Sequence, residues 1–250
     1  MRAVQVAPMV DIHCHILPGI DDGSKSWEMT AKMCRIALED GITHIVATPH
    51  SNDEYSYNRE RYTEMLGQLH DAADGKLTFS LGCDLHFSYD NIQDALANPR
   101  RYTIGDSQYL LIEFSDYGIP PSVMQDVFMI CSRGMVPIVT HPERNQPLLK
   151  NPELVLKLVE QGCLVQVTAD GVTGAWGGRS KKMVEWLLQR EAVHVIASDA
   201  HDPVHRRPAM SQARNVVAEL AGAAIAEALV THNPEAIVEG KGLPYQPMYR

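Results

Sequence analysis

The segment Asp11-Ile12-His13-Cys14-His15 ends a short apolar run and carries two imidazoles two residues apart. Side chains at that spacing share one face of an extended strand, so His13 and His15 can grip one ion together. The same device recurs along the chain. Asp22 lies in the first loop, His50 follows Ala-Thr-Pro, Asp84 follows Leu-Gly-Cys, and Glu113 sits in Leu-Ile-Glu-Phe. His141 opens His-Pro-Glu-Arg, and Asp199 and His201 fall in Ser-Asp-Ala-His. Nine imidazoles and carboxylates at predicted strand ends constrain the fold to one that gathers them at a single edge of its sheet.

The apolar, β-branched runs are residues 9–13, 42–48, 77–82, 109–114, 136–140, 163–168 and 193–198. Each is short and nearly continuous, as expected of parallel strands buried on both faces. Helical patterns lie between them. Residues 26–40 carry Met29, Met33, Ile36 and Ala37 at helical spacing and stop at Gly41, and Tyr62, Met65, Leu66, Leu69 and Ala73 form a second stripe. Asn151-Pro152-Glu153 reads as a helix start with Asn as the cap, closed by Gly162, and Asn233-Pro234-Glu235 repeats it. The tail after Gly240, with Pro244, Tyr245, Pro247 and Tyr249, reads as irregular.

Unbroken strand–helix alternation over 250 residues predicts one α/β domain spanning 1–250. An open doubly wound sheet would carry a glycine-rich first turn, whereas this first turn is His-Ile-Leu-Pro-Gly-Ile-Asp-Asp-Gly. Polar groups at the strand ends suit the mouth of a barrel, so the expected fold is a distorted seven-stranded (β/α) barrel of the TIM type.

A net charge of −9 argues against a broad nucleic-acid or anionic-membrane footprint. No run is long and apolar enough for a membrane span, and residues 1–10 do not read as a signal peptide, so a cytoplasmic location is expected. Five scattered cysteines without a Cys-x-x-Cys pair read as reduced thiols. Thiol-dependent phosphotyrosine phosphatases need an arginine six residues after the cysteine. Here those positions are Ile20, Asp40, Tyr89, Pro137 and Ala169, which excludes that mechanism.

Buried charges are rare unless paired or coordinated, so the nine residues together point to metal. Imidazole and carboxylate ligands without thiolate favour Mn²⁺, Fe or Zn²⁺ over Mg²⁺ or Ca²⁺. Such a set can hold two or three divalent ions and offer a hydroxide nucleophile near neutral pH. Arg144 and Arg206 lie just past ligand-bearing strand ends, where a guanidinium fork complements phosphate. The plainer reading pairs each with a loop carboxylate such as Glu143 or Asp202. His86 shares a strand face with Asp84 and so can line the site. His44, His70, His194, His205 and His232 read as structural or exposed.

These motifs resemble the PHP superfamily (polymerase and histidinol phosphatase), and within it the bacterial tyrosine-protein phosphatases of capsular and exopolysaccharide biosynthesis. The likeness runs from about Val10 to Gly240; Asp21-Asp22-Gly23, Leu-Ile-Glu113-Phe and His141-Pro-Glu-Arg144 are its most selective parts. It implies a PHP-type barrel with a trinuclear site, often manganese, and a phosphotyrosine substrate on the tail of a bacterial tyrosine kinase that controls polysaccharide export. On that resemblance His13, His15 and Asp199 hold one ion, Asp22, His50 and His201 hold another, and Glu113 and His141 serve a bridged pair. Arg144 and Arg206 grip phosphate, with Arg207 the neighbouring choice. The family usually has Glu where this chain has Asp84, which bears on bridging and metal preference. The chain also begins about eight residues before the family's usual start. Two other activities fit the same motifs: a small-molecule phosphomonoesterase acting on substrates such as histidinol phosphate, and a non-catalytic metal-binding PHP domain.

Overall fold

The computed structural model describes residues 8–248, so most of the leading extension and Tyr249 of the tail lie outside the described residues. The strands are β1 (Met9–Cys14), β2 (Ile42–Ala47), β3 (His50–Ser51), β4 (Thr78–Leu81), β5 (Asp84–His86), β6 (Tyr109–Glu113), β7 (Val136–Thr140), β8 (Leu164–Thr168) and β9 (Val195–Ala197). All pair in parallel, as one sheet β1-β2-β4 and a second β3-β5-β6-β7-β8-β9.

All seven expected runs are strands. The pairing nevertheless divides into two sheets and nine segments instead of forming one closed seven-stranded ring. The division falls where the sequence interrupts the ladder. Pro49, between β2 and β3, has no N–H to donate. Two hydrogen bonds carry the alignment across the gap, from Gly82 N–H to the Ala47 carbonyl (2.8 Å) and from Asp84 N–H to the Pro49 carbonyl (3.2 Å). The outer edges also meet. Asp199 N–H donates to the His13 carbonyl and His15 N–H to the Ala200 carbonyl, both at 2.8 Å, beside a bridge between Cys14 and Ala200.

Most strands are buried on both faces, which explains the continuous apolar runs, whereas β4 leaves Thr78 exposed. One face supplies a small core from Val10, Ile12, Val46, Tyr109, Leu111, Ile138, Val195 and Ala197. The other packs residues such as Ile45, Leu110, Ile112, Val139, Val165 and Ile196 into the larger core that takes in the helices. Helix Trp27–Asp40 forms as its stripe predicts: the Ser26 side chain accepts from Met29 N–H, and Gly41 ends the helix at φ 94°. The second stripe lies on helix Arg59–Ala72, capped by Asn58.

Two predicted caps are not made. Helix Glu153–Glu160 has no side-chain cap, because Asn151 closes the preceding helix Gln146–Lys150. Asn233 is continuous with the helical turn before it, and its buried amide donates to the carbonyls of His194 and Tyr245 and accepts from Tyr245 N–H. That amide ties the irregular tail to the start of β9. No described helix is long and apolar enough to cross a membrane.

His194 gives the fold a pH dependence away from the ligand cluster. It is buried, its Nδ1 accepts from Val165 N–H at 3.1 Å, and burial lowers its pKa to about 4. Below its unfolded value of about 6.5 the unfolded chain binds a proton that the folded chain refuses. Its contribution to stability is therefore complete above that value and is lost as pH falls from 6.5 to about 4. Urea unfolding of the chelated protein should show His194→Gln with a shallower loss between those pH values than the parent, by on the order of 2 kcal/mol. Equal slopes would remove His194 from the account.

Candidate metal centre

The site forms where strand ends converge. His13 and His15 come from the end of β1, His50 from β3, Asp84 from β5 and Glu113 from the end of β6. His141 follows β7, Asp199 and His201 follow β9, and Asp22 comes from the loop after β1. All nine predicted ligands are brought together. Three overlapping groups offer ligand atoms within 4.8 Å of one another: His15, Asp22, His50 and His201; His13, His15 and Asp84; and His50, Asp84 and Glu113.

Asp199 Oδ1 stands 3.5 Å from Nε2 of both His13 and His15, and His141 Nε2 stands 3.5 Å from Glu113 Oε1. Asp84, the shortened carboxylate, belongs to two of the groups. Its Oδ2 is 3.4 Å from both His13 Nε2 and His50 Nδ1. The groups overlap through His15, His50 and Asp84.

The donor set suits cations and little else. Both Asp84 oxygens, His50 Nδ1 and His201 Nε2 are buried without a hydrogen-bond partner among the described residues. Leaving such atoms unsatisfied is costly unless an ion takes them. Burial works against protonating His13 and His50, yet the surrounding carboxylates outweigh it and raise them to about 9 and about 10. His15 and His141 fall to about 3, through burial first and then their cationic neighbours. Glu113 is pushed up by burial and by Asp84. Asp84 and Asp199 are held low despite burial, chiefly by His13. His13 and His50 are thus held protonated by the carboxylates around them, while His15 and His141 stay neutral.

Hydrogen bonds around the ligands fix how the imidazoles point. His15 Nδ1 bonds Asp21 Oδ2 at 2.7 Å and His13 Nδ1 bonds Gln166 Oε1 at 2.9 Å, leaving both Nε2 atoms turned inward. His201 Nδ1 is 3.0 Å from the Asp199 carbonyl. Such partners set the tautomer and raise ligand basicity. Asp11 accepts from Ser198 N–H and hydroxyl and so stitches β1 to the Asp199 turn. Glu143 accepts from Thr168 N–H and hydroxyl. The sequence assigns no role to Asp11 or Asp21, offers Glu143 as a partner for an arginine, and gives Gln166 no mention. The signal for Gln166 was a buried polar residue within the apolar run Leu-Val-Gln-Val-Thr.

His141 and Asp199 both lie in the left-handed region, at φ 32° and 52°. Non-glycine residues there are strained and persist where surrounding contacts hold them, commonly at functional sites.

The two arginines take neither of the partners weighed from sequence. Arg144 Nη1 and Arg206 Nη2 both donate to Asp199 Oδ2. Glu143 is turned toward Thr168, and Asp202 caps the backbone N–H groups of Val204, His205 and Arg206. Arg207 lines a separate cavity with Asp40, Asp170 and His205, so Arg206 is the one at the site. His86 lines a cleft of about 290 Å³ with Glu113, Tyr117, His141 and Arg144. His44 sits between the Thr78 and Ser80 hydroxyls, away from the ligands.

Comparison with known proteins shows the family. A family model described as capsular polysaccharide synthesis, CpsB/CapC, matches residues 9–239. Tyrosine-protein phosphatase YwqE of Bacillus subtilis (strain 168) is 32% identical over 243 residues, covering 96% of this chain and 95% of that protein. Tyrosine-protein phosphatase CpsB of Streptococcus pneumoniae is 30% identical over 239 residues, covering 92% and 98%. A crystal structure from the work on YwqE and CpsB, reported as metal-dependent tyrosine phosphatases, aligns with a TM-score of 0.88 at 32% identity. That alignment covers 97% of this chain and all of the other.

The loop of Asp21, Asp22 and Gly23 tests the geometry. A Cβ on Gly23 would stand 2.2 Å from the His15 carbonyl oxygen and 2.4 Å from its Cβ, so Gly23→Ala must displace the loop. Elemental analysis of that variant should find about one ion fewer per chain and a metal affinity lowered roughly 10- to 100-fold. Full metal content would show that Asp21 and Asp22 do not serve the site.

Proposed function

The chain belongs to the CpsB/CapC family of capsular polysaccharide synthesis, and on that premise we propose how its site performs metal-dependent hydrolysis of protein phosphotyrosine. The chain is a metal-dependent tyrosine phosphatase, a phosphoric monoester hydrolase acting on phosphotyrosine-bearing proteins. The observation that carries the mechanism is the set of overlapping ligand groups beside paired arginines.

His13, His15, Asp22, His50, Asp84, Glu113, His141, Asp199 and His201 would hold two or three divalent ions, manganese by preference, with iron or zinc as the other choices. Bound there, such ions supply Lewis acidity, activating water near neutral pH and offsetting charge on phosphoryl oxygens. Asp84 supports a bridging role because it reaches two of the ligand groups.

The chain's own groups do the positioning. Asp21 and Gln166 hold the first two imidazoles in one tautomer. Arg144 and Arg206, only 26% and 20% exposed, present guanidinium forks to the phosphoryl oxygens that the ligand cluster does not take. In the reaction a water oxygen joins phosphorus, the bond from phosphorus to the tyrosine oxygen breaks, and the phenolate leaves and takes up a proton. No covalent intermediate with the protein is required, in keeping with five cysteines that are all free and lack the phosphate-wrapping arginine.

The physiological substrate in this reading is the phosphorylated tail of a bacterial tyrosine kinase that governs polysaccharide export, met in the cytoplasm. We read the two sheets as halves of one distorted seven-stranded barrel forming a single domain. The hydrogen bonds across the β2–β3 and β4–β5 breaks and between β1 and the Asp199 turn support that reading.

A direct assay compares phosphotyrosyl peptide with histidinol phosphate, each with manganese and with chelator. The peptide should be turned over at least 100-fold faster (about 3 kcal/mol of transition-state discrimination) and only with metal. Preference for histidinol phosphate would move the chain to small-molecule phosphatases. Loss of neither activity on chelation would end the metal account.

A further inference from the structure

Arg144 and Arg206 come from loops after β7 and β9, on either side of β8. Both donate to one oxygen, Asp199 Oδ2. Two cations sharing one carboxylate oxygen repel each other, and Asp199 Oδ1 is already turned toward His13 and His15. A further attraction keeps the pair together, and it comes from the loop after β8, the strand of the six-stranded sheet that supplies no candidate ligand. The Trp176 ring lies under both guanidiniums, with Arg144 Cζ 4.5 Å and Arg206 Cζ 5.7 Å from its centroid. Both distances fall within the range where an aromatic face attracts a cation.

The loop is built to present that ring. Helix Ala169–Thr173 ends at Gly174, with φ 90°, and Gly177, with φ 91°, returns the chain through a bond from its N–H to the Gly174 carbonyl at 2.9 Å. Both glycines occupy backbone geometry that other residues adopt with strain. Trp176 is 37% exposed, so it stands at the mouth and is not buried in the core. Arg206 Nε is buried without a partner among the described residues, a donor left for an incoming oxygen.

We propose that Trp176 is a positioning residue whose indole face holds Arg144 and Arg206 side by side as a preformed receptor for phosphate oxygens. The proposal rests on the phosphatase reading and adds the element that organises its arginines. Preorganised donors meet the phosphate without losing conformational freedom on binding, so the ring acts on affinity for the phosphoryl group. Trp186 on helix Gly178–Gln189 lies under Arg190, the residue that ends that helix, at 4.0 Å; the pair is outside the site and serves as an internal control.

The test uses the manganese-loaded full chain as parent, Trp176→Phe, Trp176→Leu and Trp186→Leu. Calorimetry measures inorganic phosphate binding, with metal content and melting temperature measured on the same samples. Trp176→Leu keeps apolar bulk but removes the aromatic face; it should weaken phosphate binding roughly 5- to 20-fold and raise KM for phosphotyrosyl peptide in step. Metal content, melting temperature and kcat should stay near the parent's. Trp176→Phe should restore phosphate affinity to within about two-fold, and Trp186→Leu should change nothing at the site. Unchanged phosphate affinity in Trp176→Leu overturns the proposal, as does loss of metal or of melting temperature in that variant, which would make the ring a support of the fold. Because phosphate binding is read without turnover, a parent inactive on phosphotyrosine would count against the proposed function and leave this measurement intact.

Discussion

Asp199 is the residue on which the arrangement depends. One of its oxygens faces the imidazoles of His13 and His15, and the other accepts from two arginines. A fully buried carboxylate in that position is kept ionised against the cost of burial by the cations around it. Its backbone is held at φ 52° by a bond from its own N–H to the His13 carbonyl and by the Ser198–Asp11 contacts before it. The sheet edge where β1 meets β9 is thus also the place where the candidate ligand cluster meets the paired arginines. Fold and chemistry share the same hydrogen bonds.

The division of labour among strands follows. β1, β3, β5, β6, β7 and β9 carry or lead into candidate ligands, whereas β8 ends at Thr168, which bonds Glu143 and caps helix Ala169–Thr173. Glu143 in turn packs so closely against Gly171 that a Cβ there would stand 2.6 Å from Oε1. This contact fixes the helix from which the Trp176 loop emerges. A buried acid with no evident catalytic duty thereby places an aromatic ring at the mouth.

Much of this was legible in the residues. The seven apolar runs became strands because parallel strands buried on both faces leave a continuous hydrophobic trace. The nine candidate ligands stand out in the sequence because imidazoles and acids at strand ends break that trace, and the structure brings them together. What was missed has physical reasons. β3 and β5 are two and three residues long and contain the ligands themselves, so they carry no apolar signature. Gln166 and Asp21 act through partners far away in sequence or on another loop, which composition does not reveal. Asn151 and Asn233 look like helix caps locally, but a preceding helix claims one and the buried tail claims the other. The arginines were located correctly at the strand ends, while their common partner emerged only from the turn that brings Asp199 between them.

His15, His50 and Asp84 each belong to two of the overlapping ligand groups, so ions held there would lie next to one another. Electron paramagnetic resonance of the manganese-loaded protein reads this directly. Adjacent ions joined by shared ligands should give a broad exchange-coupled spectrum that sharpens only as metal is withdrawn. A simple six-line spectrum of isolated manganese at full loading would contradict it.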